Sequence, residues 1–116
     1  MTLMRETAKP RLICVQTTFN ETQAANDFAS RLVEAGLAAC VQMSPVHSVY
    51  CWQGSVEREE EVLLSIKTTG DRLADLEAFV AAHHPYDEPE FIALQVFNAS
   101  AGYAAWVETQ TGREGS

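Results

Sequence analysis

The stretch from Leu37 to Thr69 constrains this chain most, because it reads as two long strands meeting at a Gly54-Ser55 turn. The first strand starts at Leu37, is interrupted at Pro45 and continues through Val46, Val49, Tyr50 and Trp52. The second, Val56 to Thr69, carries an acidic block from Glu57 to Glu61 before the apolar Val62-Leu63-Leu64-Ser65-Ile66. About 17 residues at roughly 3.3 Å each span some 55 Å, well beyond a compact domain with a radius of gyration near 13 Å. The hairpin must therefore bend at Pro45 or overhang its own domain. An overhanging hairpin tipped by Tyr50 and Trp52 presents unpaired strand edges and aromatic surface, and both invite another copy of the chain.

The elements on either side complete a fold. Arg11 to Thr18 is β-branched and apolar, as expected for a buried first strand. Asn20, with Gln23 at the capping-box position, is placed to start a helix whose apolar positions are Ala25, Phe28, Ala29, Leu32 and Val33, and Gly36 supplies its left-handed stop. After the hairpin a second helix has Asp71 in its first turn, Leu73, Leu76, Phe79 and Val80 on one face, and Pro85 beyond its end. Phe91 to Phe97 reads as a last core strand, and Ser100 caps a short helix carrying Tyr103, Trp106 and Val107. The order β-α-β-β-α-β plus a terminal helix is the split βαβ, ferredoxin-like arrangement of the α+β class, an antiparallel sheet with helices on one face. The expected division is a flexible leader over 1–10, one domain over 11–111 and a flexible tail over 112–116.

Composition removes several classes of function. A length of 116 residues suits one core, and 47% apolar with 21% charged residues is too apolar for disorder. A net charge of −8 repels phosphate backbones and anionic lipid surfaces, so nucleic-acid and membrane partners are not expected. No run approaches the roughly 20 apolar residues of a membrane span, and Met1 to Arg11 lacks the apolar core of a signal peptide, which makes the cytoplasm the expected location. Cys14, Cys40 and Cys51 form neither a C-x-x-C pair nor an even disulfide set, and are expected as buried, reduced thiols.

Two stretches are distinctive: Tyr50-Cys-Trp-Gln-Gly-Ser-Val-Glu-Arg-Glu-Glu-Glu-Val-Leu-Leu-Ser-Ile-Lys-Thr68 and His83-His-Pro-Tyr-Asp-Glu-Pro-Glu90. Together with Leu37-Ala-Ala-Cys-Val41 they resemble the CutA family of divalent-cation tolerance proteins, and the resemblance runs in order from Leu12 to Trp106. It implies a homotrimer, similar in architecture to PII signalling proteins, in which long hairpins wrap neighbouring subunits. It also implies metal ligands, copper foremost, at the paired histidines His83 and His84 and at a cysteine closing the first strand. The matching cysteine position here is Gln16, and Cys14 stands two residues earlier, on the same strand face but roughly 7 Å away.

The candidate residues each admit two chemistries. Adjacent histidines at a helix end can bind copper, nickel or zinc, yet neighbours on a helix point about 100° apart and need a third ligand from elsewhere. The alternative is that one caps the last helical carbonyls while the other packs. Tyr50 and Trp52 share a strand face, suited to a stacking platform or a subunit contact. Lys67 is placed to meet an anionic ligand or a carboxylate, and the resemblance makes Glu61 a candidate partner for Lys67 or a histidine across a subunit cleft. Tyr86 and Glu90 flank the Pro85–Pro89 turn, which the resemblance puts beside that cleft. The candidate cleft set is thus Tyr50, Trp52, Glu61, Lys67, His84, Tyr86 and Glu90. No G-x-S-x-G, phosphate-cradling loop or H-E-x-x-H is present, so an enzyme is not expected; copper or another divalent cation is the cofactor class the resemblance implies, and none is obligatory. The expected function is cation tolerance by a cytoplasmic homotrimer. The alternatives are a PII-like sensor of a small molecule in the intersubunit cleft and a structural trimer that anchors a protein partner.

Overall fold

The computed structural model describes residues 10–112, so the expected leader and tail lie outside the described residues except at Pro10 and Gly112. Along the chain run β1 (Leu12–Phe19), α1 (Thr22–Glu34), β2 (Cys40–Trp52), β3 (Ser55–Thr69), a 3-10 turn (Gly70–Arg72), α2 (Leu73–His83), β4 (Ile92–Gln95) and α3 (Ala101–Thr111). The strands form one antiparallel sheet in the order β2-β3-β1-β4, the ferredoxin-like topology.

Strand alternation divides the sheet into two faces. Ile13, Val15 and Phe19 of β1 and Leu64 and Ile66 of β3 pack against Ala25, Phe28, Ala29 and Leu32 of α1 and Leu76 and Val80 of α2, and this is the main core. Leu32, Leu64, Ile66 and Leu76 are fully buried, each worth about 1.5–3 kcal/mol relative to exposure. The opposite face begins with Leu12, which packs with Ala39 against Ala104 and Val107 of α3. The expectation of helices on one face is thus corrected. α1 and α2 share one face, while α3 covers one end of the other, because its apolar positions meet Leu12 and not Ile13.

The hairpin overhangs. β3 pairs with β2 from Lys67 out to Ser55, but with β1 only from Thr69 to Val62, so residues 46–61 project past the end of β1. The radius of gyration is 15.8 Å and the longest extent 50 Å, against about 13 Å for a compact chain of 100 residues. Pro45 does not interrupt β2. It sits opposite Val62 on an outer strand, where a missing N–H breaks no ladder on the free side. The turn lies at Gln53-Gly54, one residue earlier than expected, with positive φ at both (50° and 84°), the twist a two-residue hairpin needs.

Other boundaries shift for local reasons. Glu21, with extended backbone and no side-chain bond, is the N-cap of α1 in place of Asn20, and Gln23 donates instead to Asp27 at 2.9 Å. Gly36 does take the left-handed conformation after α1, at φ 73°. The expected core strand Phe91–Phe97 shrinks to Ile92–Gln95 and is exposed, with Phe97 fully so, because β4 is an edge strand that α1 and α2 do not cover. Ser100 caps α3 by accepting from the Tyr103 N–H.

Two hydroxyls in the main core, on Thr17 and Thr68, are completely buried and without a hydrogen-bond partner. Replacing either with valine removes an unsatisfied group at nearly constant volume. Thr17→Val and Thr68→Val are each expected to raise unfolding stability by about 1 kcal/mol, read as a higher urea midpoint at unchanged m-value. A lower midpoint would reveal a partner for that hydroxyl.

Candidate functional site

Pro85 organises the site. A residue before proline is pushed out of the helical region, and His84 is extended (φ −76°, ψ 139°) at the C-cap of α2, while His83 is the last helical residue. The two adjacent imidazoles therefore diverge. His83 stays exposed on α2, its ring centroid 4.4 Å from that of Phe79 and tilted by 44°, with its Nδ1 3.5 Å from an Arg31 nitrogen that can only donate. His84 turns inward until 9% of it is exposed. Its ring lies 4.3 Å from Phe19, 4.7 Å from Tyr86 and 6.2 Å from Phe28.

Both nitrogens of His84 are committed. Nδ1 accepts the Tyr86 N–H at 3.1 Å, so Nε2 carries the proton and donates to the Thr18 carbonyl at 2.8 Å. The bond goes to β1, not to a helical carbonyl. Burial holds the imidazole below its ordinary value, opposed in part by the Thr18 bond and the Glu61 charge. Tyr86 in turn donates its hydroxyl to Glu61 Oε2 at 2.7 Å, and Glu61 is 9% exposed on β3. Burial first, and the Glu61 hydrogen bond second, raise the Tyr86 phenol far above its usual range. A chain of contacts thus runs from β1 through the α2 terminus and the Pro85 turn to the base of the hairpin.

Alternation puts Glu57, Glu59 and Glu61 on one face of β3, with Tyr50 and Trp52 of β2 on the same face. Tyr50 is hydrogen-bonded to Glu59, which is the main cause of its raised phenol. The same face continues into the sheet at Lys67, six residues and so about 20 Å from Glu61. Lys67 donates to Gln42 Oε1 at 2.7 Å, and Cys14 and Cys40 lie directly opposite it on β1 and β2. One chain therefore brings Tyr50, Glu61, His84 and Tyr86 together, leaves Trp52 49% exposed at the tip, and keeps Lys67 apart. Glu90 is half-buried after the turn. The Thr18 carbonyl, the Phe19–Phe28 box and Arg31 carried no signal in sequence as site residues. Glu59 was legible from strand parity.

No group of three His, Cys, Asp or Glu side chains able to hold a metal ion occurs among the described residues. The pair His83–His84 offers no two free nitrogen lone pairs in one chain, since both Nδ1 atoms accept hydrogen bonds and His84 Nε2 donates.

The overhanging hairpin on a ferredoxin-like sheet, with a polar cluster at its base, matches a known class. Residues 13–110 match the family model described as CutA1 divalent ion tolerance protein. The chain is 39% identical over 99 residues to the divalent-cation tolerance protein CutA of Thermus thermophilus, covering 84% of this chain and 96% of that one. It is 40% identical over 100 residues to the chloroplastic CutA protein of Arabidopsis thaliana, covering 85% of this chain but 55% of the plant protein's length. The structure of CutA from Synechococcus elongatus superposes with a TM-score of 0.85 at 38% identity, covering 92% of this chain and 94% of that one. This chain belongs to the CutA1 divalent ion tolerance family.

The contacts of Glu61 and His84 generate two predictions. Tyr86→Phe leaves the buried Glu61 carboxylate without its hydroxyl donor and is expected to cost about 1.5–3 kcal/mol, measured by urea unfolding; no change would show that water replaces the hydroxyl at no cost. Because His84 binds its proton less readily when folded than at its ordinary value of 6.5, the unfolded chain takes up the extra proton first. Stability should therefore be full above that value and fall as the pH drops below it. The slope of unfolding free energy between pH 7 and 5 is expected to flatten in His84→Gln, and an unchanged slope would assign it to other groups.

Proposed function

We propose that this chain serves divalent-cation tolerance as a homotrimeric binding protein, not an enzyme, working in the cytoplasm and built from one domain over 11–111. The observation that carries this reading is the overhang of residues 46–61, with Tyr50 38%, Trp52 49%, Val49 62% and Val56 63% exposed in one chain. Such a hairpin is stable only against another surface. A second copy supplies it, buries Trp52, and brings a neighbour's Lys67 toward Glu61, Tyr86 and Glu90, closing a cleft that one chain leaves open. Copper or another divalent cation meets His83 alone in each chain, since His84 is held by Thr18 and Tyr86, and further ligands come from outside that chain. The separation of Lys67 from Glu61 along one face also favours a second reading, a PII-like cleft that senses a small anionic molecule.

The test is a sedimentation mass with and without copper, on wild type and Trp52→Ala. The expected result is three chains per particle regardless of metal, with Trp52→Ala weakening the assembly by roughly 3–5 kcal/mol, as for a buried aromatic. A monomer in both conditions would reject the trimer, and copper that leaves the His83 imidazole signals unmoved in NMR would reject direct contact.

A further inference from the structure

The half of the sheet face not covered by α1 and α2 carries a row with chemistry of its own. Reading across the strands, Cys40 of β2, Lys67 of β3 and Cys14 of β1 stand directly opposite one another, so their side chains share a face and neighbouring Cβ atoms lie about 4.5–5.5 Å apart. Both thiols are free and half-buried. They are separated by two strand spacings, about 10 Å, beyond the roughly 7 Å that a disulfide tolerates between Cα atoms. Cys51 cannot serve either: it lies eleven residues along β2 from Cys40, about 36 Å away, and on the opposite face. An oxidised thiol at Cys14 or Cys40 thus has no thiol to resolve it within the chain. It has Lys67 directly opposite it on β3.

We propose that Cys14, Lys67 and Cys40 form a peroxide-responsive modification site, in which Lys67 captures an oxidised cysteine as a cross-strand sulfenamide. In the first step a cysteine thiolate attacks hydrogen peroxide, the O–O bond breaks, and a sulfenic acid and water form; sulfur is oxidised and peroxide reduced. In the second, the Lys67 ammonium gives one proton to water, and the amine so formed uses its lone pair to attack that sulfur. The S–O bond breaks, the departing hydroxide takes a proton from the amine, and an S–N bond and a second water result. No further oxidant is needed. An external thiol reverses the link by attacking sulfur and releasing the amine. The long lysine side chain is able to span the gap to either neighbour; its amine is held on the β2 side, 2.7 Å from Gln42 Oε1, and swings from there to Cys40, two residues away on the same strand. Cys40 is therefore the principal partner and Cys14 the secondary one. The link would staple β2 to β3 below the hairpin.

The assembled full-length protein should be treated with hydrogen peroxide, alkylated, digested with trypsin and mapped by mass spectrometry. The expected product is a Cys40 peptide joined to the Lys67 peptide at their summed mass less two hydrogens, uncut at Lys67 and separated by dithiothreitol. In Lys67→Arg the joined peptide should vanish and trapping of sulfenic acid at Cys40 by a cyclic dione should rise several-fold. In Cys40→Ala the link should move to Cys14. A Cys14–Cys40 disulfide, or dione trapping equal in wild type and Lys67→Arg with no joined peptide in wild type, would overturn the proposal. The wild-type map decides the question even where a variant does not fold.

Discussion

The pairing of β2 with β3 is the constraint on which the rest depends. Residues 62–67 of β3 have β1 on one side and β2 on the other, with α1 and α2 stacked over one face. Residues 55–61 have β2 alone. A two-stranded ribbon is marginal in water, since its backbone bonds are exposed and it buries little apolar area. The ladder persists through Trp52–Ser55 because its turn residues fit the strand twist and because the ribbon continues a strand already anchored in the core. The apolar side chains on this ribbon are then best explained by a surface outside the chain.

The base of the ribbon is fixed by polar contacts in a semi-buried setting, where such bonds are stronger and their loss more costly than at the surface. Pro85 ends α2 at His83, which frees His84 to leave the helix direction and fill the box made by Phe19, Phe28 and Tyr86. The imidazole then ties β1 to the turn, and the Tyr86 phenol ties the turn to Glu61. The same side chain that resembles a metal ligand in sequence is thus a structural bracket within one chain. Its neighbour His83, still helical, faces solvent beside Arg31 and Phe79.

The open face of the sheet holds groups of contrasting kind along one line. Glu57, Glu59 and Glu61 lie toward the tip, and Lys67 with its flanking thiols lies in the body. Their order follows from strand period alone, since residues of equal parity on β3 must share a side. A chain with a net charge of −8 that leaves this cation among neutral side chains keeps it available for a carboxylate brought from outside.

Local pattern determined much of this protein. The apolar spacing of Ala25, Phe28, Ala29 and Leu32, the left-handed Gly36, the Ser100 cap and the order of elements were all legible, because each rests on contacts between residues close in sequence. The length of the hairpin was legible too, and with it the overhang. Tertiary structure alone decided the side on which α3 packs, the exposure of β4, the passage of β2 through Pro45 and the inward turn of His84. Those outcomes depend on which surfaces remain uncovered once the sheet has formed, and on partners such as Thr18 and Glu61 that lie 66 and 25 residues from the groups they hold. No window of sequence contains both ends of such a contact.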